Sequence, residues 1–140
     1  MNISGVWYNE LNSTMTIEQN GNVLTGTYQT GVGTAQGRYP LQGMINSSGD
    51  ASQTTAWSVA WVNPSGNSHS TTAWCGQLQT NGNHQPVLIA MWLLTSETSP
   101  SQDWASTQIG QDVFTRQRPT DDMVSKALAR GHFSHPVQKA

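Results

Sequence analysis

Between residues 5 and 116 the sequence falls into short runs in which side chains alternate in character, and each break is rich in Gly, Asn, Ser or Pro. The runs are "GVWYNEL" (5–11), "STMTIEQ" (13–19), "VLTGTYQ" (23–29), "RYPLQGMI" (38–45), "TTAWSVAWV" (54–62), "HSTTAWCGQLQ" (69–79), "PVLIAMWLLT" (86–95) and a last one over roughly 107–116. Period two is the signature of a β-strand, whose successive side chains point to opposite faces. Breaks such as "NGN" (20–22), "NSSGDASQ" (46–53), "NPSGNS" (63–68) and "TNGNHQ" (80–85) are turn sequences. The spacing predicts eight short strands joined by hairpin-length turns, with no helix before the tail. Closing such a meander on itself removes both exposed edges, so the expected fold is all-β, an eight-stranded antiparallel up-and-down β-barrel. A two-sheet sandwich is compatible with the same spacing. At 140 residues the chain reads as one domain that buries roughly two-thirds of its unfolded surface.

Alternation also sorts the side chains. In the run from 69, Ser70, Thr72, Trp74, Gly76 and Leu78 share one face, while His69, Thr71, Ala73, Cys75 and Gln77 share the other. Trp57, Val59 and Trp61 alternate together, as do Trp7, Asn9 and Leu11; Gly26, Tyr28 and Thr30; and Gly110, Asp112 and Phe114. The face carrying Trp61, Trp74 and Trp92 thus also carries Asn9, Ser13, Tyr28, Thr30, Ser70, Thr72 and Asp112. Plain cores avoid polar groups that need partners, so this mixture predicts a ligand cavity. Trp7 and Trp57 are expected to fill the barrel floor. In "VLIAMWLL" the inner set Leu88, Ala90, Trp92 and Leu94 is matched by an equally apolar outer set, Val87, Ile89, Met91 and Leu93. A strand apolar on both faces is buried on both, and outside a single-layer barrel only another subunit can cover it.

Composition narrows the function. Charged residues make up 10% of the chain, against roughly 25% in ordinary globular proteins, and there are six Trp to two Phe. Residues 1–115 hold six acids and one base (Arg38), a net −5, whereas residues 116–140 hold five bases and two acids, a net +3. The body has no basic face, so nucleic acid is not an expected partner. No apolar run reaches the ~20 residues of a membrane helix. The N-terminus enters a strand pattern almost at once without a signal-peptide pattern, so the chain as written reads as cytoplasmic, or as secreted after removal of a signal. Sequons at Asn2, Asn12 and Asn46 matter only in a glycosylating pathway. An enzyme is not expected. Ser70, His69 and Asp112 are the residue types of a catalytic triad, but neighbours on a strand face opposite ways. The single cysteine, Cys75, lacks the second thiol of a redox C-x-x-C, position 78 being Leu; it reads as a small buried interface residue.

The motifs "GVWYNEL", "LTGTYQTGVG", "WSVAWVN", "HSTTAWCGQ", "MWLLTS" and "DWASTQIGQDVF" closely resemble, in order and spacing from about residue 4 to 116, the avidin and streptavidin family. The resemblance implies an avidin-like barrel over residues 1–116, high-affinity non-covalent binding of biotin, no cofactor, and a homotetramer. It places Asn9, Ser13 and Tyr28 as donors to the ureido oxygen of biotin, and Thr30 and Asp112 as acceptors of its N–H groups. It gives Thr72 to the thioether sulfur, and Ser70 with the loop at Thr34 to the carboxylate. Trp61, Trp74, Trp92, Val32 and Leu94 match the apolar box, and Trp104 the tryptophan lent to a neighbouring subunit's pocket. Position 34 is often Asn in relatives and position 75 often Ser, and Gln111 falls at a variable interface position.

A lectin-like carbohydrate-binding β module is the rival reading, since Trp, Asn and Asp at low charge suit stacked sugars; its tryptophans would have to be exposed. The tail, 117–140, lies outside these motifs. "PTDDMVSKALARG" has a Thr120 cap, acids in the first turn, bases late and Gly131 at the end, which predicts a short helix. His132 and His135 are expected on a solvated tail rather than as metal ligands. The basic tail beside an acidic body also raises the hypothesis that it folds over a pocket mouth and competes with ligand.

Overall fold

A computed structural model describes residues 1–31, 37–48, 51–61, 69–132 and 135. Eight antiparallel strands form a closed barrel in sequence order: β1 (Gly5–Tyr8), β2 (Thr14–Asn20), β3 (Val23–Gln29), β4 (Tyr39–Asn46), β5 (Gln53–Trp61), β6 (Ser70–Thr80), β7 (Pro86–Ser96) and β8 (Thr107–Thr115). The barrel, not the sandwich, is the outcome. A six-residue 3-10 helix, Pro100–Ala105, precedes β8, and one α-helix, α1 (Asp121–Ala129), follows it.

The alternation in the sequence is the alternation of burial. In β5 every second residue, from Gln53 through Thr55, Trp57 and Val59 to Trp61, is buried, and those between are exposed. Trp7 and Trp57 lie in the core as expected; the Trp7 indole donates to the Ile3 carbonyl at 2.8 Å, and Trp57 stacks on Trp74 with centroids 5.7 Å apart. The β2–β3 turn has Gly21 at φ 61°, a left-handed conformation that glycine adopts without steric cost.

The weakest seam is the closure. β1 and β8 share one register pair, Tyr8↔Thr115. Arg116 reinforces it: its guanidinium donates to the carbonyls of Val6 at 3.0 Å, Asn2 at 3.0 Å and Ser4 at 2.9 Å, and its Cζ lies 3.8 Å from the Trp7 ring centroid. Three charge-assisted bonds and a cation–π contact do here what a ladder does elsewhere.

The first strand is shorter than the alternation through residue 11 predicts. It ends at Tyr8 because the Asn9 side chain competes with the ladder: its Oδ1 accepts from the backbone N–H of Leu11 at 3.0 Å and of Ser13 at 2.9 Å. Such local bonds favour a turn over a strand, and Asn12 completes it at φ 62°. Of the apolar outer set of β7, Met91 is 49% and Leu93 52% exposed in the single chain, while Ile89 is half-buried and Val87 buried.

The tail helix forms as its capping sequence predicts. The Thr120 hydroxyl accepts the N–H of Met123 at 3.2 Å, Lys126 pairs with Asp122 at 2.9 Å, and Gly131 at φ 85° turns the chain out of the helix.

Candidate ligand-binding site

The register of β5 to β8 assembles one wall. Trp61 pairs with Ser70, Thr72 with Leu94, Trp74 with Trp92, and Ala90 with Asp112. These pairs point inward, so Trp61, Ser70, Thr72, Trp74, Trp92, Leu94 and Asp112 are all buried. Tyr28, from β3, stacks on Trp74 at 5.1 Å and meets Trp61 edge-on at 5.5 Å. Trp92 has room because the residue opposite is Gly110, where a Cβ would lie 2.2 Å from Cζ2 of the indole.

The β1–β2 turn supplies polar groups to the same interior. Asn9 and Ser13 are buried; Asn9 Nδ2 lies 3.5 Å from the Tyr28 hydroxyl, and Ser13 Oγ accepts the Gly31 N–H at 3.2 Å. Because Asn9 Oδ1 is spent on the turn, its NH₂ is the end left for the cavity. Burial, and after it the negative charge of Asp112, push the Tyr28 phenol well above its ordinary value, which keeps it a hydrogen-bond donor. Opposite, Asp112 Oδ2 accepts the Trp74 indole N–H at 2.8 Å, and Thr72 Oγ1 accepts that of Trp61 at 2.9 Å. Among the described residues, Ser70 Oγ and Trp92 Nε1 are buried without a hydrogen-bond partner. Orphaned buried polar atoms are rare in folded proteins; Trp57 Nε1 and Gln53 Oε1 share the condition elsewhere in the barrel, but Ser70 and Trp92 lie on the wall of the site.

The interior also holds a residue that the sequence pattern misplaces. His135 is not on a solvated tail: it is 0% exposed and sits among the tryptophans, parallel to Trp61 at 6.2 Å and edge-on to Trp74 at 5.1 Å and Trp92 at 4.5 Å. Its Nδ1 lies 3.2 Å from Thr72 Oγ1, its Nε2 lies 3.7 Å from Asp112 Oδ2, and its backbone carbonyl accepts the Thr30 hydroxyl. No periodicity of a strand or helix could place a residue beyond the last helix inside a barrel. The one pointer is the charge contrast between tail and body. His132 is fixed too, its Nδ1 lying 2.9 Å from Glu10 Oε1. The Glu10 carboxyl is raised from its ordinary value, first by burial and then by the Asp112 charge, against the opposing effect of hydrogen bonds that include His132.

Of the residues expected at a site, Asn9, Ser13, Tyr28, Thr30, Trp61, Ser70, Thr72, Trp74, Trp92, Leu94 and Asp112 converge on one interior. Val32 and Thr34 lie outside the described residues. Trp104 does not enter its own chain's cavity; it is 82% exposed on the 3-10 helix. Cys75 is exposed on the outer face, paired across the sheet with Met91 and Ala56. His69 is exposed while Ser70 is buried, so the two adjacent side chains face opposite ways. No group of three or more metal-ligating side chains occurs among the described residues.

The sequence is similar to those of known proteins. A family model described as Avidin family matches residues 1–117. The chain is 36% identical over 123 residues to avidin from Gallus gallus, covering 83% of this chain and 78% of that protein. It is 37% identical over 119 residues to avidin-related protein 4/5 of the same organism, covering 81% and 77% respectively.

Proposed function

This chain belongs to the avidin family, and on that premise we propose that its barrel binds biotin non-covalently and without chemical turnover. The observation that carries the reading is the pairing, inside one closed barrel, of a buried donor group (Asn9, Ser13, Tyr28) with a buried acceptor group that includes Asp112, between tryptophan walls. A cyclic urea is the ligand such an interior suits. Its carbonyl takes the donors, Asp112 and Thr30 take its N–H groups, and the polarisation of each bond strengthens the others in a dry site. Thr72 meets the ring sulfur, Ser70 and the loop at Thr34 receive the carboxylate, and Trp61, Trp74, Trp92, Val32 and Leu94 enclose the apolar surface. Because the strands hold these groups in advance, little ordering entropy is lost on binding.

The apolar outer face, with Met44 64%, Met91 49%, Leu93 52% and Ile109 67% exposed, supports an oligomer, and we read it as a homotetramer in which Trp104 completes a neighbour's pocket. A lectin would present its stacking surfaces outward, whereas Trp61, Trp74 and Trp92 face inward. Titration of intrinsic tryptophan fluorescence with free biotin tests the assignment. A sharp change that saturates at one biotin per chain supports it. A folded protein whose fluorescence and melting temperature ignore biotin refutes it.

A further inference from the structure

Resting on the biotin reading, we propose that His135 is an intramolecular ligand: it fills the pocket of its own chain when biotin is absent and must leave before biotin enters. The imidazole lies where the walls converge, against three indoles. It uses groups assigned to biotin. Thr72 Oγ1, which accepts the Trp61 N–H, lies 3.2 Å from His135 Nδ1, and the other ring nitrogen, Nε2, faces Asp112. Thr30 donates to the His135 carbonyl. Two occupants cannot both hold Thr30, Thr72 and the space between Trp61, Trp74 and Trp92, so binding is competitive.

The fit is partial, which makes the occupant displaceable. His135 Nε2, Ser70 Oγ and Trp92 Nε1 stay without hydrogen-bond partners among the described residues, and each such atom carries a desolvation cost that a better-matched ligand removes. Among the described residues, the attachment outside the pocket is light as well. Helix α1 has nine residues and buries Ala127 alone, while Met123 and Leu128 stay exposed; a helix this short is marginal without packing. The other described ties are His132 to Glu10, the Arg118 guanidinium to Asn12 Oδ1 at 3.1 Å, and Arg118 against the Tyr8 ring at 4.7 Å. Segments with so few buried contacts open at low free-energy cost.

The test uses the full chain and its His135→Ala and His132→Ala variants. In the ligand-free protein, histidine ring signals in a proton–carbon NMR spectrum should include one shifted strongly by the indole faces, absent in His135→Ala, that returns to its solvent position when biotin is added. Biotin association measured by stopped-flow tryptophan fluorescence should be faster in His135→Ala by about tenfold or more, because a pocket closed about 90% of the time loses about tenfold in apparent affinity. His132→Ala, which loosens the segment without touching the pocket, should give a smaller rise. Dissociation should be unchanged in both, since the occupant has already left the complex. A His135 signal at its solvent position before biotin overturns the proposal while leaving the biotin reading intact. So does a shifted signal that biotin fails to move in a protein that binds it, or a faster dissociation from His135→Ala, which would make the segment a lid over bound biotin. If neither the parent nor His135→Ala binds biotin, the biotin reading fails and the proposal falls with it, even if the shifted signal is present.

Discussion

Asp112 separates ligand recognition from structure, because among the described residues its side chain accepts one hydrogen bond inside the protein and is assigned another with ligand. It is 2% exposed, and its Oδ2 holds the Trp74 N–H at 2.8 Å. Asp112→Ala deletes the acceptor for a ligand N–H, a charge-assisted bond of about 1.5–3 kcal/mol. At about 1.4 kcal/mol per decade that is about 10- to 150-fold in affinity. It also orphans the Trp74 indole, but the orphan is present in both free and bound protein, so its cost of about 1–3 kcal/mol falls on the melting temperature and cancels from binding. Asp112→Asn keeps an oxygen for Trp74 and loses only the charge. The difference between a charged and a neutral bond, about 1 kcal/mol or slightly more, predicts a loss of about 5- to 10-fold with little change in melting. Because His135 also approaches Asp112, both variants weaken the internal occupant along with the ligand, so the clean observable is the biotin dissociation rate. It should rise in the order parent, Asn, Ala, while the melting temperature falls only for Ala. A dissociation rate that is the same in all three would show that Asp112 serves Trp74 alone, and would refute the assignment.

Three further outcomes follow from particular contacts. Glu10 has a raised folded-state pKa, so its contribution to stability is complete below its ordinary value of 4.5 and is lost as pH rises through the folded value; denaturation midpoints of the parent should fall relative to Glu10→Gln just above pH 4.5, and parallel curves would contradict this. Gly110→Ala places a Cβ 2.2 Å from the Trp92 indole; overpacking of this kind costs about 1–3 kcal/mol and should both lower the melting temperature and weaken biotin, whereas native values would mean that Trp92 has unused room. Trp104→Lys should weaken biotin and shift the assembly towards dimers in light scattering, and a tetramer with native dissociation would show that Trp104 is not shared.

The barrel was readable because strand periodicity and inner-face burial have one cause. In β5 and β6, alternation in the sequence coincides with alternation in the structure almost residue by residue, and the same parity that separates Trp74 from Cys75 delivers Ser70, Thr72 and Trp74 to one interior. The wall of the candidate site was legible to the same degree, since it consists of strand positions. Legibility stopped where side chains overrode the backbone pattern. Asn9 reads as the fifth residue of an alternating run, yet its amide captures two backbone N–H groups and turns the chain early. His135 was beyond reach for another reason. Its position depends on contacts with residues more than sixty positions away, Thr72 among them, and local pattern carries no information about such contacts.

An interior built to surround a polar ligand carries a cost when empty, and the tail histidine offsets part of it. Asn9, Ser13, Tyr28, Thr72 and Asp112 are buried, and buried polar groups whose hydrogen-bonding capacity is only partly used weigh against the fold. In the ligand-free protein, His135 gives Thr30 and Thr72 a partner and fills the space between the indoles. The same contacts that slow biotin entry therefore stabilise the protein while it waits. Ligand stabilises a fold in proportion to the logarithm of its concentration over its apparent dissociation constant, and an internal competitor raises that constant. The ligand-free His135→Ala protein should thus melt below the parent, while the two biotin complexes melt together, so that the rise on adding biotin is larger in the variant. Equal rises in calorimetry would mean that the tail's docking and the ligand's binding are independent, and that the imidazole among the tryptophans plays no part in either.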